Sequence, residues 1–369
     1  MMRLVYLSPV PWGSYTQRPQ RFVEWFNSRS NGKVLWIDPY PTRFPVLSDF
    51  WHFIRNGIDE SQINTEGMPW LTVLRLRAIP IEPFPGSGII NHFLWRDVFK
   101  AVDDFFANDD CLIGIGKPSL LALQLLTRYN QIPSLYDAMD DFPAFYHGWS
   151  RMMMRRRERE IARKVTKIAV SCTALASHFE TYRSKLSIIL NACAPDTFPS
   201  VNTKINKSES IILGYVGTIG NWFDWEFVIG LAEACPYARI RLIGPTFVLP
   251  TRSLPGNIEL LPACNHDSAI KAMLEFNVGL IPFKRIDLTA SVDPIKYYEY
   301  RALGLPVIST CFGEMALREN EKGVFLVHEK HDVMDVLESA LSYKYGINEI
   351  QKIRINNSWA KRFDAIGIF

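Results

Sequence analysis

Ser291-Val-Asp-Pro-Ile-Lys-Tyr-Tyr-Glu-Tyr-Arg-Ala-Leu-Gly-Leu-Pro-Val-Ile-Ser-Thr310 reads as a capped helix running directly into a buried strand. Asp293 can accept hydrogen bonds from the free backbone donors of a first turn. Pro294 suits the first helical position, and Gly304 suits the left-handed residue that ends a helix. Ile295, Tyr298 and Ala302 recur at helical spacing and predict an inward face, leaving Lys296 and Glu299, three apart, as neighbours at its edge. A cation in a first turn opposes the helix dipole unless an anion shares the site, and a carboxylate one turn on suits a vicinal diol. Phosphate plus ribose points to a nucleotide.

Outward from this unit, the chain alternates short apolar runs with helical stretches. Arg3–Leu7, Lys33–Ile37, Leu71–Leu76, Cys111–Ile115, Ser134–Tyr136, Lys167–Ser171 and Leu186–Leu190 predict buried strands, with helices over Pro19–Ser30, Gly88–Phe106 and Pro118–Tyr129 between them. Residues 195–210 hold two prolines and no apolar periodicity, as an interdomain linker would. The alternation then restarts. Strands are expected at Ile211–Val216, Arg239–Ile243, Ile258–Leu261, Val278–Pro282, Pro306–Ser309 and Gly323–Val327, with helices near Asp224–Ala234 and Ser268–Phe276. The pattern is that of an α/β protein with two Rossmann-like, doubly wound domains, residues 1–194 and 211–346, facing across a cleft. Residues 347–369 hold a helix expected to cross back to the first domain.

The 369 residues, 48% of them hydrophobic, are enough for two large cores. A net charge of +3 argues against a nucleic-acid partner. The six cysteines are scattered without any Cys-x-x-Cys, which fits buried free thiols in a reducing compartment. No run reaches the ~18 apolar residues of a membrane span and none reads as a signal peptide, so a cytoplasmic location is expected.

The pattern Pro-x-Lys-x-x-Glu-Tyr-x-Ala-x-Gly-x-Pro-Val resembles the donor-binding segment of GT-B glycosyltransferases, in the broad group that builds bacterial capsule, O-antigen and exopolysaccharide (group 1, or family 4-like). Gly214-Tyr-x-Gly-x-Ile-x-x-Trp-x-Asp224 is similar to the first donor-domain loop of the same group, and Leu242–Pro245 and Ile281–Phe283 follow in the expected order. The resemblance implies that Glu299 holds the ribose hydroxyls of a nucleotide sugar and Lys296 its phosphates. Gly217, Thr218, Asp293 and Tyr297 complete that side of the expected donor site. Gly217 and Gly220 follow a strand and open a helix, so a phosphate cradle is expected there. Lys284 and Arg285 follow a strand end and can neutralise a departing nucleoside diphosphate without metal. Many retaining members carry a second Glu eight positions before the first, and here that place is Ser291.

Inversion requires a general base, expected from the first domain. Tyr136-Asp-Ala-Met-Asp-Asp-Phe-Pro-Ala-Phe-Tyr-His147 sets Asp137, Asp140 and Asp141 at a strand end. Adjacent acids raise one another's pKa. The stretch also resembles a Tyr-Asp-x-x-Asp-Asp element of related transferases. Asp141 is the first choice for the base, Asp140 the second and His147 the third. Gly13, Arg18 and Gln20, in and after the first strand-to-helix loop, are expected to face the cleft. No metal and no cofactor are expected: no two aspartates stand two apart, and His328-x-x-His331 lacks a third ligand.

The expected partners are a nucleotide sugar, most plausibly UDP-linked, and a glycan or lipid-linked acceptor. Arg151–Lys167 holds eight cations and two anions interleaved with methionines, and such a run can lie on an anionic membrane surface, on the inner face of the cell membrane. Two other functions fit the same architecture. A nucleotide-sugar epimerase would need no acceptor, and a catalytically silent partner would bind nucleotide sugar without turnover.

Overall fold

A computed structural model of the chain describes residues 2–42, 62–64, 67–76, 82, 86–106, 110–201, 210–329 and 332–369. The chain divides into two compact units, Met1–Ile189 and Leu190–Phe369.

The first unit is built on a sheet of β1 (Arg3–Leu7), β2 (Val34–Ile37), β3 (Gln62–Asn64), β4 (Leu71–Leu74), β5 (Cys111–Ile115), β6 (Ser134–Ala138), β7 (Lys167–Val170) and β8 (Leu186–Ile188). Their order is β3-β4-β2-β1-β5-β6-β7-β8, parallel throughout except for β3, which pairs antiparallel with β4. Helices α1 (Arg18–Ser30), α2 (Ser87–Leu94), α3 (Arg96–Phe106), α4 (Leu120–Arg128), α5 (Gly148–Lys164) and α6 (Thr173–His178) connect the strands. Strands such as Cys-Leu-Ile-Gly-Ile are buried at every position, which is why they read as unbroken apolar runs rather than alternating ones. The sheet order reverses between β1 and β5, so the loops after these strands flank a topological switch point, where ligands bind in open α/β sheets.

In the second unit, β9 (Ile212–Val216), β10 (Arg239–Ile243), β11 (Ile258–Leu261), β12 (Val278–Ile281), β13 (Val307–Thr310) and β14 (Val324–Val327) form a parallel sheet in the order β11-β10-β9-β12-β13-β14. Along β9 the side chains divide by strand period, Ile212 and Val216 into one core and Leu213 and Tyr215 into the other. Helices α7 (Trp225–Ala234), α8 (His266–Glu275), α9 (Asp287–Ala290), α10 (Ile295–Ala302), α11 (Val333–Ser342), α12 (Ile347–Asn356) and α13 (Trp359–Asp364) complete it. Here the switch point lies between β9 and β12. The Gly217 loop therefore flanks it on one side and the Lys284 loop on the other.

Several expectations shift in detail. Strand β6 continues two residues past Tyr136, which carries Asp137 into the sheet. The helix expected over 88–106 is two, α2 and α3, separated at Trp95. The short edge strand β3 has no apolar alternation to announce it. Phe198 is buried in a second-unit core, and the Arg354 guanidinium donates to the Pro199 carbonyl at 2.8 Å. The C-terminal helices α12 and α13 also belong to the second unit, where Asn357, between them, accepts from the Cys193 N–H at 2.9 Å. Residues 202–209 of the expected linker and His331 lie outside the described residues.

Helix α10 ends as its sequence implies, with Gly304 in the left-handed region at φ 76°. Its packing is tighter than the predicted single face, because Tyr297, Tyr298, Glu299, Tyr300 and Ala302 are all buried. Gly279 of β12 permits this: a Cβ there would stand 2.3 Å from the Tyr300 ring, and Tyr300 Oη in turn accepts from the Val216 N–H at 3.2 Å. Gly279→Ala should therefore cost about 1–3 kcal/mol by overpacking, read from denaturant unfolding, and should loosen the contact that seats α10 beside the end of β9. A variant as stable as wild type would show that the ring has room to move.

Candidate functional site

The second unit presents its candidate residues at the carboxyl ends of β9, β12 and β13 and at the start of α10. Lys296 donates to Glu299, forming an ion pair three residues apart; the Lys296 side chain is 24% exposed and that of Glu299 9%. The expected pairing is therefore made. Asp293, in contrast, does not cap the helix, whose N-cap is Pro294 with no side-chain hydrogen bond. Its carboxylate is fully buried and accepts from Arg318 Nη2 at 2.6 Å, Tyr298 Oη at 2.9 Å and the Asn191 N–H at 2.7 Å. Burial works against the Arg318 charge, but Asp293, Tyr298 and Tyr297 more than offset it, so its pKa rises further. Asp293 thus anchors the α10 entry, and the first-turn N–H groups keep no side-chain partner. Tyr297, expected at the donor, is 3% exposed, and its hydroxyl is bonded to Glu321 and Arg301 inside the unit.

Around the switch point, Gly217 and Gly244 meet closely, since a Cβ on Gly244 would lie 2.1 Å from the Gly217 carbonyl oxygen. The Thr218 carbonyl accepts from Tyr215 Oη at 2.9 Å. Beyond this loop, Asp224 caps α7, accepting from the Phe227 N–H at 3.0 Å, so that helix end already carries an anion. The start of α10 at this edge, in contrast, has no side-chain cap. The Lys284 N–H donates to the Trp222 carbonyl at 2.7 Å, and Thr289 Oγ1 bonds the Lys284 carbonyl. The Arg285 guanidinium donates to the Val327 and His328 carbonyls at 3.2 and 3.1 Å, fixing it on the β14 end. Sequence reading overlooked Gly313, in the loop after β13. At φ 43° its missing Cβ lets the chain approach the Thr289 and Val292 carbonyls, and the Phe-Gly-Glu following a strand was the available signal.

In the first unit, the acids separate by environment. Asp137 and Arg18 are buried, 0% and 1% exposed at their side chains, and joined by Nη2 to Oδ1 at 2.8 Å and Nε to both carboxylate oxygens at 3.0 and 3.1 Å. Arg18 also donates to the Ile189 carbonyl at 2.7 Å. It faces inward, where its guanidinium compensates the carboxylate that β6 carries into the sheet. Gln20 is likewise buried: its Oε1 accepts from the Gln17 N–H at 3.0 Å and its Nε2 donates to Ser14 Oγ at 3.2 Å, closing a capping box on α1. Gly13 stays exposed.

Asp140 keeps partial access to solvent just past β6. Burial, together with the negative charges of Asp137 and Asp141, pushes its carboxyl up to about 7 against the pull of Arg18. Asp141 precedes a short 3-10 turn, Phe142–Phe145, without a side-chain cap, and His147 stands exposed at the N-cap of α5. Among the described residues, no three His, Cys, Asp or Glu side chains gather as around a metal ion, and no helix is long and apolar enough to cross a membrane. His328 instead pairs with Glu319 at 2.8 Å.

No family model matches the chain. It is 23% identical, over 54% of its length and 55% of the relative's, to a Bacillus subtilis (strain 168) protein described as "Putative teichuronic acid biosynthesis glycosyltransferase TuaH". It therefore spans about half the length of this curated relative. Similar solved structures include sucrose-phosphate synthase from Thermosynechococcus elongatus, with a TM-score of 0.68 and 14% identity over 100% of this chain and 98% of that one. HepE of Anabaena, in complex with UDP and glucose, gives a TM-score of 0.65 and 12% identity over 99% and 98%. These similarities, with the two parallel sheets, show that the chain has the GT-B glycosyltransferase fold.

Proposed function

We propose that the protein transfers a sugar from a nucleoside diphosphate donor, UDP-linked, to a glycan or lipid-linked acceptor in surface polysaccharide synthesis. The observation that carries the reading is the start of α10: an uncapped helix end with Lys296 in its first turn and Glu299 one turn on, beside the switch point of a parallel sheet. The free N–H groups and the ammonium suit a pyrophosphate, and the carboxylate suits the ribose hydroxyls. Lys284, at the neighbouring strand end, adds positive charge for the leaving diphosphate. The UDP in HepE and the polysaccharide pathway in the name of the Bacillus relative support the donor and the setting.

In this reading Asp140 is the general base, taking the proton of the acceptor hydroxyl as that oxygen attacks the anomeric carbon and the nucleoside diphosphate departs. A carboxyl near pH 7 matches the operating range of a base. No second Glu stands at Ser291, which agrees with inversion.

The direct test is UDP binding read by thermal shift, since a ligand at 100 times its Kd adds about 2.7 kcal/mol of stability. Glu299→Gln should weaken UDP binding about 10–150-fold, the equivalent of about 1.5–3 kcal/mol for hydrogen bonds to a charged group. Unchanged affinity in a Lys296→Met/Glu299→Gln double variant would dispose of the reading. Consumption of the sugar donor without acceptor, yielding an isomeric nucleotide sugar, would point to an epimerase instead.

A further inference from the structure

Helix α5 carries a face to which the proposed transfer reaction assigns no role. Its inner side is formed by Met154, Arg157, Glu158, Ile161 and Ala162, all buried. Arg157 pairs with Glu82 at 3.1 Å, and Tyr136 Oη donates to Glu158 at 2.8 Å. The basic run therefore divides by helical period, and it does not lie on a partner as a whole. Arg151, Arg155, Arg159 and Arg163 recur every four residues, which spreads them over about 18 Å of helix. With Met152, Arg156 and Tyr182 they line an open groove of about 650 Å³. Arg156 is paired with Glu160 at 3.0 Å, whereas among the described residues Arg155, Arg159 and Arg163 form no ion pair.

At the amino end of this face three large apolar side chains stand in water: Phe145 is 51% exposed, Trp149 52% and Met152 58%. Of the three consecutive methionines, Met154 is buried and Met152 is exposed on the arginine side.

We propose that this face docks on an anionic phospholipid surface, with Phe145, Trp149 and Met152 entering the boundary between headgroups and acyl chains and the arginines resting on lipid phosphates. A soluble polyanion would use the charges and could stack on the two aromatic rings, but it has no apolar layer for Met152 and the rings to enter. A bilayer surface uses both, and the indole is suited to that boundary. A single phosphate would engage one or two guanidinium groups, whereas a row about 18 Å long matches an extended charged plane. The inference goes beyond the transfer reaction and is tested without substrate, so its failure and that of the donor reading are separate.

The experiment is sedimentation of the full chain with vesicles of phosphatidylcholine alone and of phosphatidylcholine with phosphatidylglycerol. Binding to the anionic vesicles only, weakening as salt is raised, is expected. Each removed arginine should lower partitioning about fivefold, so Arg155→Gln/Arg159→Gln/Arg163→Gln should lose about a hundredfold with an unchanged unfolding midpoint. The Lys triple at the same positions, which keeps the charge, should still bind, and Phe145→Ser/Trp149→Ser should bind weakly at every salt concentration. Equal binding to neutral vesicles, or full binding by the Gln triple, would overturn the proposal. So would capture of a soluble polyuronate with no vesicle binding, which would reassign the face to an acidic glycan.

Discussion

Asp140→Asn should abolish most turnover, by about 10²–10⁴-fold, while leaving UDP binding intact and making the protein more stable at neutral pH. The three parts arise from one cause. A carboxyl raised to about 7 by burial and by Asp137 and Asp141 must lose its proton before it can accept one, so wild-type kcat/KM should climb between about pH 5 and 7 and level off above. The folded state holds that proton to a higher pH than the unfolded chain, whose Asp titrates near ~3.9. The associated stability is fully present below that value and is lost as pH rises through 7, so the charge is a burden at and above neutrality. Removing it should return on the order of 1–3 kcal/mol at pH 8, after allowance for the partial solvent access of Asp140, and nothing at pH 4. Glu158, also raised to about 7 mainly by burial, leaves a residual slope in the variant. Measured rates across this range and urea unfolding at both pH values decide it. An Asp140→Asn enzyme with full turnover would move the base to Asp141, and the same test would then be applied there.

Arg18→Met should destabilise the first unit by about 3–5 kcal/mol in urea unfolding, because it leaves the Asp137 carboxylate buried without its partner and the Ile189 carbonyl without its donor. Arg18→Met/Asp137→Leu should recover most of that loss, since the cost lies in the uncompensated charge rather than in the absence of the pair. The single variant should also shift the pH–rate profile to more alkaline values. Arg18 opposes the rise in the Asp140 pKa, and without it the unpaired Asp137 pushes further. A single variant within about 0.5 kcal/mol of wild type would show that the Arg18–Asp137 pair is not what holds this part of the unit together.

How far the sequence could be read depended on how local each signal was. Central strands such as β2, β5, β9 and β12 are unbroken apolar runs of four or five residues, and glycine or proline follows closely on their ends, so the two sheets and the loops beyond these strands were legible. The Lys296–Glu299 pair was legible because helical spacing alone makes residues three apart neighbours. The partners of Arg18, Asp293 and Tyr297 were not legible, for the opposite reason. Each meets a partner far along the chain, 119 residues away for Arg18 with Asp137, 25 for Asp293 with Arg318 and 24 for Tyr297 with Glu321. No local pattern encodes such pairings.

The sequence by itself determined the fold class and where most of the strands end, because apolar periodicity and glycine punctuation act within a few residues. Only the tertiary structure decided which acids bond a buried arginine within their own unit and which do not. Asp137 and Asp293 each bond a buried arginine and serve as anchors, whereas Asp140 makes no such ion pair among the described residues, and burial, with the charges of Asp137 and Asp141, raises its carboxyl to about 7. That difference is one of dielectric and distance, and both are properties of the folded chain.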